Sequence, residues 1–159
     1  MDYETLTNCF VGVFQHYKNE TRRVFIVHSL KNDFPELVAF LLKNVTDDEW
    51  HISYNGIAFD SQITQYILLN RDRLLGMDAE DVAEDLYMKA QQIIERQDGK
   101  EFLEYPEKDL LIKQIDVFKL NHWDNPAKRS SLKWIQFSMD WDNLLDMPIH
   151  HSTRIETAE

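Results

Sequence analysis

Trp50-His51-Ile52-Ser53-Tyr54-Asn55-Gly56-Ile57-Ala58-Phe59-Asp60 is the stretch from which the rest of the chain can be ordered. Residues 50–54 read as a short strand, and Asn55-Gly56 breaks it. From Phe59 the apolar spacing becomes helical through Ile63, Tyr66 and Ile67, so residues 59–69 predict a helix that Asp60 opens. Upstream, Leu37, Phe40, Leu41 and Val45 give one apolar stripe, with Asn32 or Asp33 as cap and Pro35 in the first turn, so residues 35–43 also predict a helix. A strand reached through a helical crossover is expected to run parallel to its neighbour, here the first strand. That first strand is Asp2–Leu6. Residues 9–17, a polar turn at Lys18-Asn19-Glu20-Thr21 and Arg22–His28 follow it as an antiparallel meander. Asp47-Asp48-Glu49 reads as a solvated turn.

The carboxylates carry the chemistry. On a strand, residues i and i+2 share a face, so Asp2 and Glu4 stand side by side. Asp60 enters from the strand 50–54, which ends at Asn55. Reactive groups in open α/β sheets gather beyond the carboxyl ends of parallel strands, and a helix N-terminus favours an ionised acid. Three acids converging from two segments form the oxygen-rich set that Mg²⁺ or Mn²⁺ prefers. Two such ions about 3.5–4 Å apart clamp the attacking and leaving oxygens of a phosphodiester.

Asp2-Tyr3-Glu4-Thr5 and Asn55-Gly56-Ile57-Ala58-Phe59-Asp60 together resemble the first two motifs of the DEDD (DnaQ-like) 3′–5′ exonuclease superfamily. The likeness is greatest to the proofreading domains of phage-type DNA polymerases. It extends over similar blocks at Gln114-Ile115-Asp116-Val117-Phe118-Lys119-Leu120, at Asn125-Pro126-Ala127-Lys128-Arg129-Ser130-Ser131-Leu132-Lys133-Trp134, and at Asp146-Met147-Pro148-Ile149-His150-His151. The resemblance implies an α/β, RNase H-like mixed sheet flanked by helices, forming one domain over residues 1–159. It implies metal-dependent hydrolysis at a DNA 3′ end, with Asp2, Glu4 and Asp60 as catalytic metal ligands for Mg²⁺ or Mn²⁺. It also implies that Asn55 and Phe59 shape the edge of the substrate cleft and that a polymerase domain delivers the primer end. The family's first strand starts earlier than Met1 allows. Its third motif, Tyr-x3-Asp or His-x4-Asp on a late helix, belongs after Met147-Pro148-Ile149-His150-His151. The expectation is therefore a fold incomplete at both termini, lacking the fourth acid. Tyr105-Pro106-Glu107-Lys108-Asp109 matches the Tyr-x3-Asp pattern, but it precedes the Gln114–Leu120 block and Pro106 opposes a helix there.

Asp116 is read either as a buried, hydrogen-bonded strand acid or as a neighbour of the site; the family often has an acid there. Residues 110–120 predict a strand with Ile112, Gln114, Asp116 and Phe118 on one face. Lys128, Arg129 and Lys133 beside Trp123 and Trp134 combine phosphate contacts with stacking surfaces, which suits single-stranded DNA. The competing reading is an ordinary helix start, capped by Ser130 or Ser131 and running to about Met139, with Trp134 in the core. Asp78 caps a helix over residues 79–97 that stops at Asp98-Gly99. Glu80, Asp81, Glu84 and Asp85 read as its solvated face. Residues 101–109 read as a polar connection, and His150 and His151 as loop residues.

Composition limits the partners. The chain has 17 basic and 28 acidic residues, net −11, which opposes a dedicated nucleic-acid binder unless cations or a tethered partner offset the field. That charge motivates an alternative: a catalytically inactive exonuclease-like module acting through a protein partner. The single Cys9 lies in an apolar run and predicts a buried, inert thiol. No apolar run is long enough to span a membrane and no leader precedes Asp2, so the expected compartment is the cytoplasm.

Overall fold

Alternating burial builds the N-terminal sheet. In β1 (Asp2–Leu6) Tyr3 is buried while Asp2 and Glu4 are exposed on the opposite face. Tyr3 aligns with Gly12 of β2 (Cys9–Gln15), and Gly12 with Phe25 of β3 (Arg22–His28). A Cβ on Gly12 would come 3.0 Å from the Tyr3 ring, so the glycine makes room for it. The two-residue β4 (Lys31–Asn32) completes an antiparallel sheet in the order β1-β2-β3-β4. Phe10, Phe14, Phe25 and Val27 bury their side chains under it, each contributing about 1.5–3 kcal/mol. Cys9 is buried, a free thiol. This computed structural model describes residues 1–121, 131–140, 150 and 152–156.

α1 (Phe34–Thr46) starts after Asp33, as its cap and Pro35 dictate. The Asp33 carboxylate is used differently: it accepts the Ile26 N–H at 2.9 Å and pairs with Lys31 at 3.0 Å, while Asn32 accepts the Phe34 N–H. Leu37 and Leu41 are fully buried. The helix outruns its expected end at residue 43 because Asn44 turns inward and donates to His51 of β5 (Trp50–Ser53) at 2.9 Å.

β5 pairs in parallel with β6 (Lys113–Asp116), Ser53 opposite Asp116. The expected single mixed sheet is thus divided among the described residues into the antiparallel four and this parallel pair. β1 comes level with β5 at Met1, whose ammonium donates to the Ile52 carbonyl at 2.7 Å. The expected strand over residues 110–120 is also corrected. It ends at Asp116, and Val117–Asn121 forms a short helix, α4. Asp116 accepts the Phe118 N–H at 3.0 Å, a local side-chain bond that turns the chain out of the ladder.

α2 (Asp60–Leu74) and α3 (Ala79–Asp98) both exceed their expected lengths, α2 by a full turn. Its last turn is held by Arg73, which donates to Asp85 at 2.8 Å and to the Tyr66 hydroxyl at 2.7 Å, and by buried Leu74. Asp85 is therefore a partner across helices, whereas Glu80 and Glu84 pair with Arg154. α3 crosses β1, β2 and β3 with Val82, Ala83, Leu86, Ala90 and Ile93 buried. Its Lys89 is buried too, 2.6 Å from Glu104 and over the rings of Tyr66 and Tyr105. α5 (Leu132–Ser138) is capped by Ser131, whose Oγ accepts the Trp134 N–H at 3.1 Å. Trp134 is 59% exposed and is not a core residue. No helix among the described residues is long and apolar enough to cross a membrane.

Candidate functional site

The site starts from a loop with no room for side chains. Between β5 and α2 the chain turns through Asn55, at φ 58°, and Gly56. Asparagine is among the few residues that tolerate this left-handed conformation. A Cβ on Gly56 would lie 1.7 Å from Ser53 Oγ, 2.6 Å from Ser53 Cβ and 3.3 Å from Asp60 Oδ2. Glycine there lets the loop close over Ser53 and deliver Asp60 to the first turn of α2.

Asp116 holds this loop from below. It is buried at the end of β6, where its carboxylate accepts the N–H groups of Asn55 at 2.8 Å and Ile57 at 3.2 Å, besides that of Phe118. It fixes the approach to Asp60 through backbone bonds. On the other side of the loop, Gln62 bonds both the N–H and the carbonyl of Tyr105, at 3.0 and 2.9 Å, which ties the 101–109 connection to α2.

Asp60 is buried and points at β1. Its Oδ1 accepts the Tyr3 N–H at 3.0 Å, and the Tyr3 hydroxyl meets Thr64 of α2 at 2.9 Å. This anchor brings Asp60 beside the strand whose outer face carries Asp2 and Glu4. Burial, and then the charge of Asp2, push the Asp60 carboxyl up to about 7. Its helix-terminal position was expected to favour the ionised form. Here desolvation and a like charge outweigh that contribution and the hydrogen bonds from the Tyr3 and Asp60 N–H groups. Glu4 is also raised, by partial burial and by Asp2; Asp2 is raised by partial burial, against the pull of the Met1 ammonium. Asp2 is thus the acid that couples the other two.

The donor set is carboxylate oxygen throughout, the chemistry a hard divalent cation takes. Asp60 Oδ2 is not used by the Tyr3 bond, and Asp2 and Glu4 are exposed. As they stand, no group of three or more His, Cys, Asp or Glu among the described residues is arranged to hold a metal ion.

A groove of about 190 Å³ opens beside the acids, lined by Tyr3, Glu4, Thr5, Phe59, Gln91 and Ile94. Phe59, expected at a cleft edge, is one of its walls; Asn55 is not, being half-buried in the loop. Lys133 is exposed on α5 and does not line the groove. Lys128, Arg129, Trp123 and His151 lie outside the described residues, and His150 is exposed. Gln91 and Ile94 had no sequence signal: a glutamine and an isoleucine three positions apart on a long amphipathic helix look like ordinary surface and seam. Ser53, buried with its Oγ unpaired beside Gly56, was equally silent.

No family model, curated protein or solved structure matches this chain.

Proposed function

We propose that the chain is a metal-dependent 3′–5′ exonuclease domain of the DEDD type with an RNase H-like fold, removing nucleotides from a single-stranded DNA 3′ end in the service of a polymerase in the cytoplasm. The observation that carries this reading is the Tyr3 N–H bond to Asp60 Oδ1, which sets Asp60 beside the strand bearing Asp2 and Glu4, with Asp2 raising the proton affinity of both others. Acids crowded against one another and partly stripped of water are characteristic of functional sites, because the cost of the arrangement is recovered when a cation or proton binds. The strand order also supports it: an antiparallel meander whose first strand meets a parallel pair through Met1 and Ile52 is what an RNase H-like sheet would contain.

In this reading Asp2, Glu4 and Asp60 Oδ2 would hold Mg²⁺ or Mn²⁺. Bound there, the ions would supply a water of lowered pKa and neutralise charge at the departing oxygen. The chain's own residues do the rest. Asp116 and Gly56 fix the loop, Tyr3 orients Asp60, and Phe59 offers a face for the terminal base. Water adds to the terminal phosphorus, the bond to the preceding 3′ oxygen breaks, and that oxygen leaves with a proton as a new 3′ hydroxyl.

Incubating the protein with 5′-labelled single-stranded DNA and Mn²⁺ tests the proposal. Stepwise shortening is expected, abolished by chelator, by Asp2→Ala and by Asp60→Ala. Shortening that survives both substitutions would refute the assignment. The net charge of −11 favours a second reading, an inactive module that works through a protein partner. That reading expects no metal-dependent turnover and a stable partner in pull-downs.

A further inference from the structure

Building on the exonuclease reading, the geometry points to α3 as the element that receives the terminal base, with Gln91 as the residue that makes this reception tolerant of all four bases. Glu4 shares the exposed face of β1 with Asp2 and also lines the groove, so a phosphate held at these acids puts the attached nucleoside at the groove mouth. The groove is small, about 190 Å³. Sites for whole drug-sized molecules run from about 300 Å³ upward, so this one suits a single flat ring system. Its walls are chemically matched to a base. Phe59 and Ile94 supply apolar side chains to its lining, and Tyr3 and Thr5 line it from β1. Gln91 contributes the side-chain amide in the groove, and that amide hydrogen-bonds to no other described residue.

An amide has one acceptor oxygen and one donor nitrogen side by side. Adenine and cytosine present a donor next to an acceptor on their open pairing edge; guanine and thymine present an acceptor next to a donor. Turning the amide over converts one match into the other. Gln91 therefore pairs with any terminal base at similar cost, a property suited to a nuclease that must remove whichever nucleotide stands last. A carboxylate cannot turn over in this way, since both its oxygens accept. It prefers guanine, which alone places two N–H donors on that edge.

The test is Gln91→Glu, read as a ratio. Single-stranded oligonucleotides ending in dA, dC, dG or dT are digested with Mn²⁺ at concentrations below saturation. Wild type is expected to remove the four at rates within about threefold of one another. In the variant the dG-to-dT ratio is expected to rise at least about fivefold, the lower end of what a bidentate base contact supplies. A general loss from the added negative charge lowers all four rates and leaves the ratio untouched, so an unchanged ratio overturns the role of Gln91. If the wild type does not hydrolyse DNA, the exonuclease reading fails, and titration with deoxynucleoside monophosphates and Mg²⁺ decides the groove separately. Shifts of the Gln91 side-chain amide and the Phe59 ring resonances support it. Their absence overturns it.

Discussion

The backbone N–H of Tyr3 donates to Oδ1 of Asp60 at 3.0 Å, joining residues 57 apart in the chain. This bond sets the site: it uses one carboxylate oxygen of Asp60 to dock α2 against β1 and leaves the other beside the strand that carries Asp2 and Glu4. It also makes Asp60 responsible for both stability and chemistry.

The pH dependence of stability follows from that double role. In the fold Asp60 holds its proton up to about pH 7, while its ordinary value is 3.8. Between these values the native state binds more protons than the unfolded chain, so stability falls as pH rises through the window. The full span corresponds to a change on the order of 4 kcal/mol. Urea denaturation at pH 4.5 and 7.5 is expected to show this loss in the wild type and a much flatter dependence in Asp60→Asn. An identical slope in both would remove Asp60 as its origin.

Gly56→Ala tests the close approach under the loop. The new methyl would overlap the Ser53 side chain, with 1.7 Å to its Oγ and 2.6 Å to its Cβ. Overpacking of this kind costs about 1–3 kcal/mol or more, and here it also displaces Asp60. The double variant Gly56→Ala, Ser53→Gly removes the obstacle and is expected to recover part of the stability. Thermal denaturation of the two variants provides the comparison.

Asp116→Ala is expected to loosen the loop without touching the acids. It strands the half-buried N–H of Asn55 and the buried N–H of Ile57, the latter alone costing about 1–3 kcal/mol. Hydrogen exchange at Asn55 and Ile57 should accelerate, while the Tyr3 amide, bonded to Asp60, stays protected. Equal protection at Asn55 and Ile57 in variant and wild type would show that Asp116 does not hold the loop.

Lys89 and Glu104 form an unequal pair, the lysine side chain 6% exposed and the glutamate 29%. Glu104→Gln leaves a buried cation without its countercharge, a loss of about 3–5 kcal/mol, whereas Lys89→Met replaces it with an apolar chain of similar length and costs less. Chemical denaturation of the two variants is expected to rank them in that order.

Much of the architecture was legible because it rests on local rules. The polar turn Lys18-Asn19-Glu20-Thr21 between two strand-like runs marked the meander, and Asn32 or Asp33 with Pro35, Asp78, and Ser130 or Ser131 marked where helices begin. The Asn55–Asp60 signature located the turn that delivers the third acid. What could not be read depends on contacts distant in sequence. α2 gains its last turn from Arg73 meeting Asp85 and Tyr66, and Asp116 gives its carboxylate to the amides of Asn55 and Ile57, far back in the chain. Lys89 looks like any charged position on α3 until Glu104 and two tyrosine rings close over it. The groove was invisible for the same reason, since its lining comes from α3, β1 and Phe59, which are distant in sequence. The proton affinity of Asp60 is likewise set by burial and by Asp2, not by the helix end on which it sits.

The most direct test of the account is where Mn²⁺ binds. In a nuclear magnetic resonance titration the paramagnetic ion broadens signals near it. Selective broadening at the amides of residues 2–5 and 56–61 is expected at the lowest additions, and its loss in Asp2→Asn, the acid that couples the other two. Broadening that begins elsewhere, for instance along Glu80, Asp81 and Glu84 of α3, or that persists unchanged in Asp2→Asn, would contradict a shared cation site at the edge of β1.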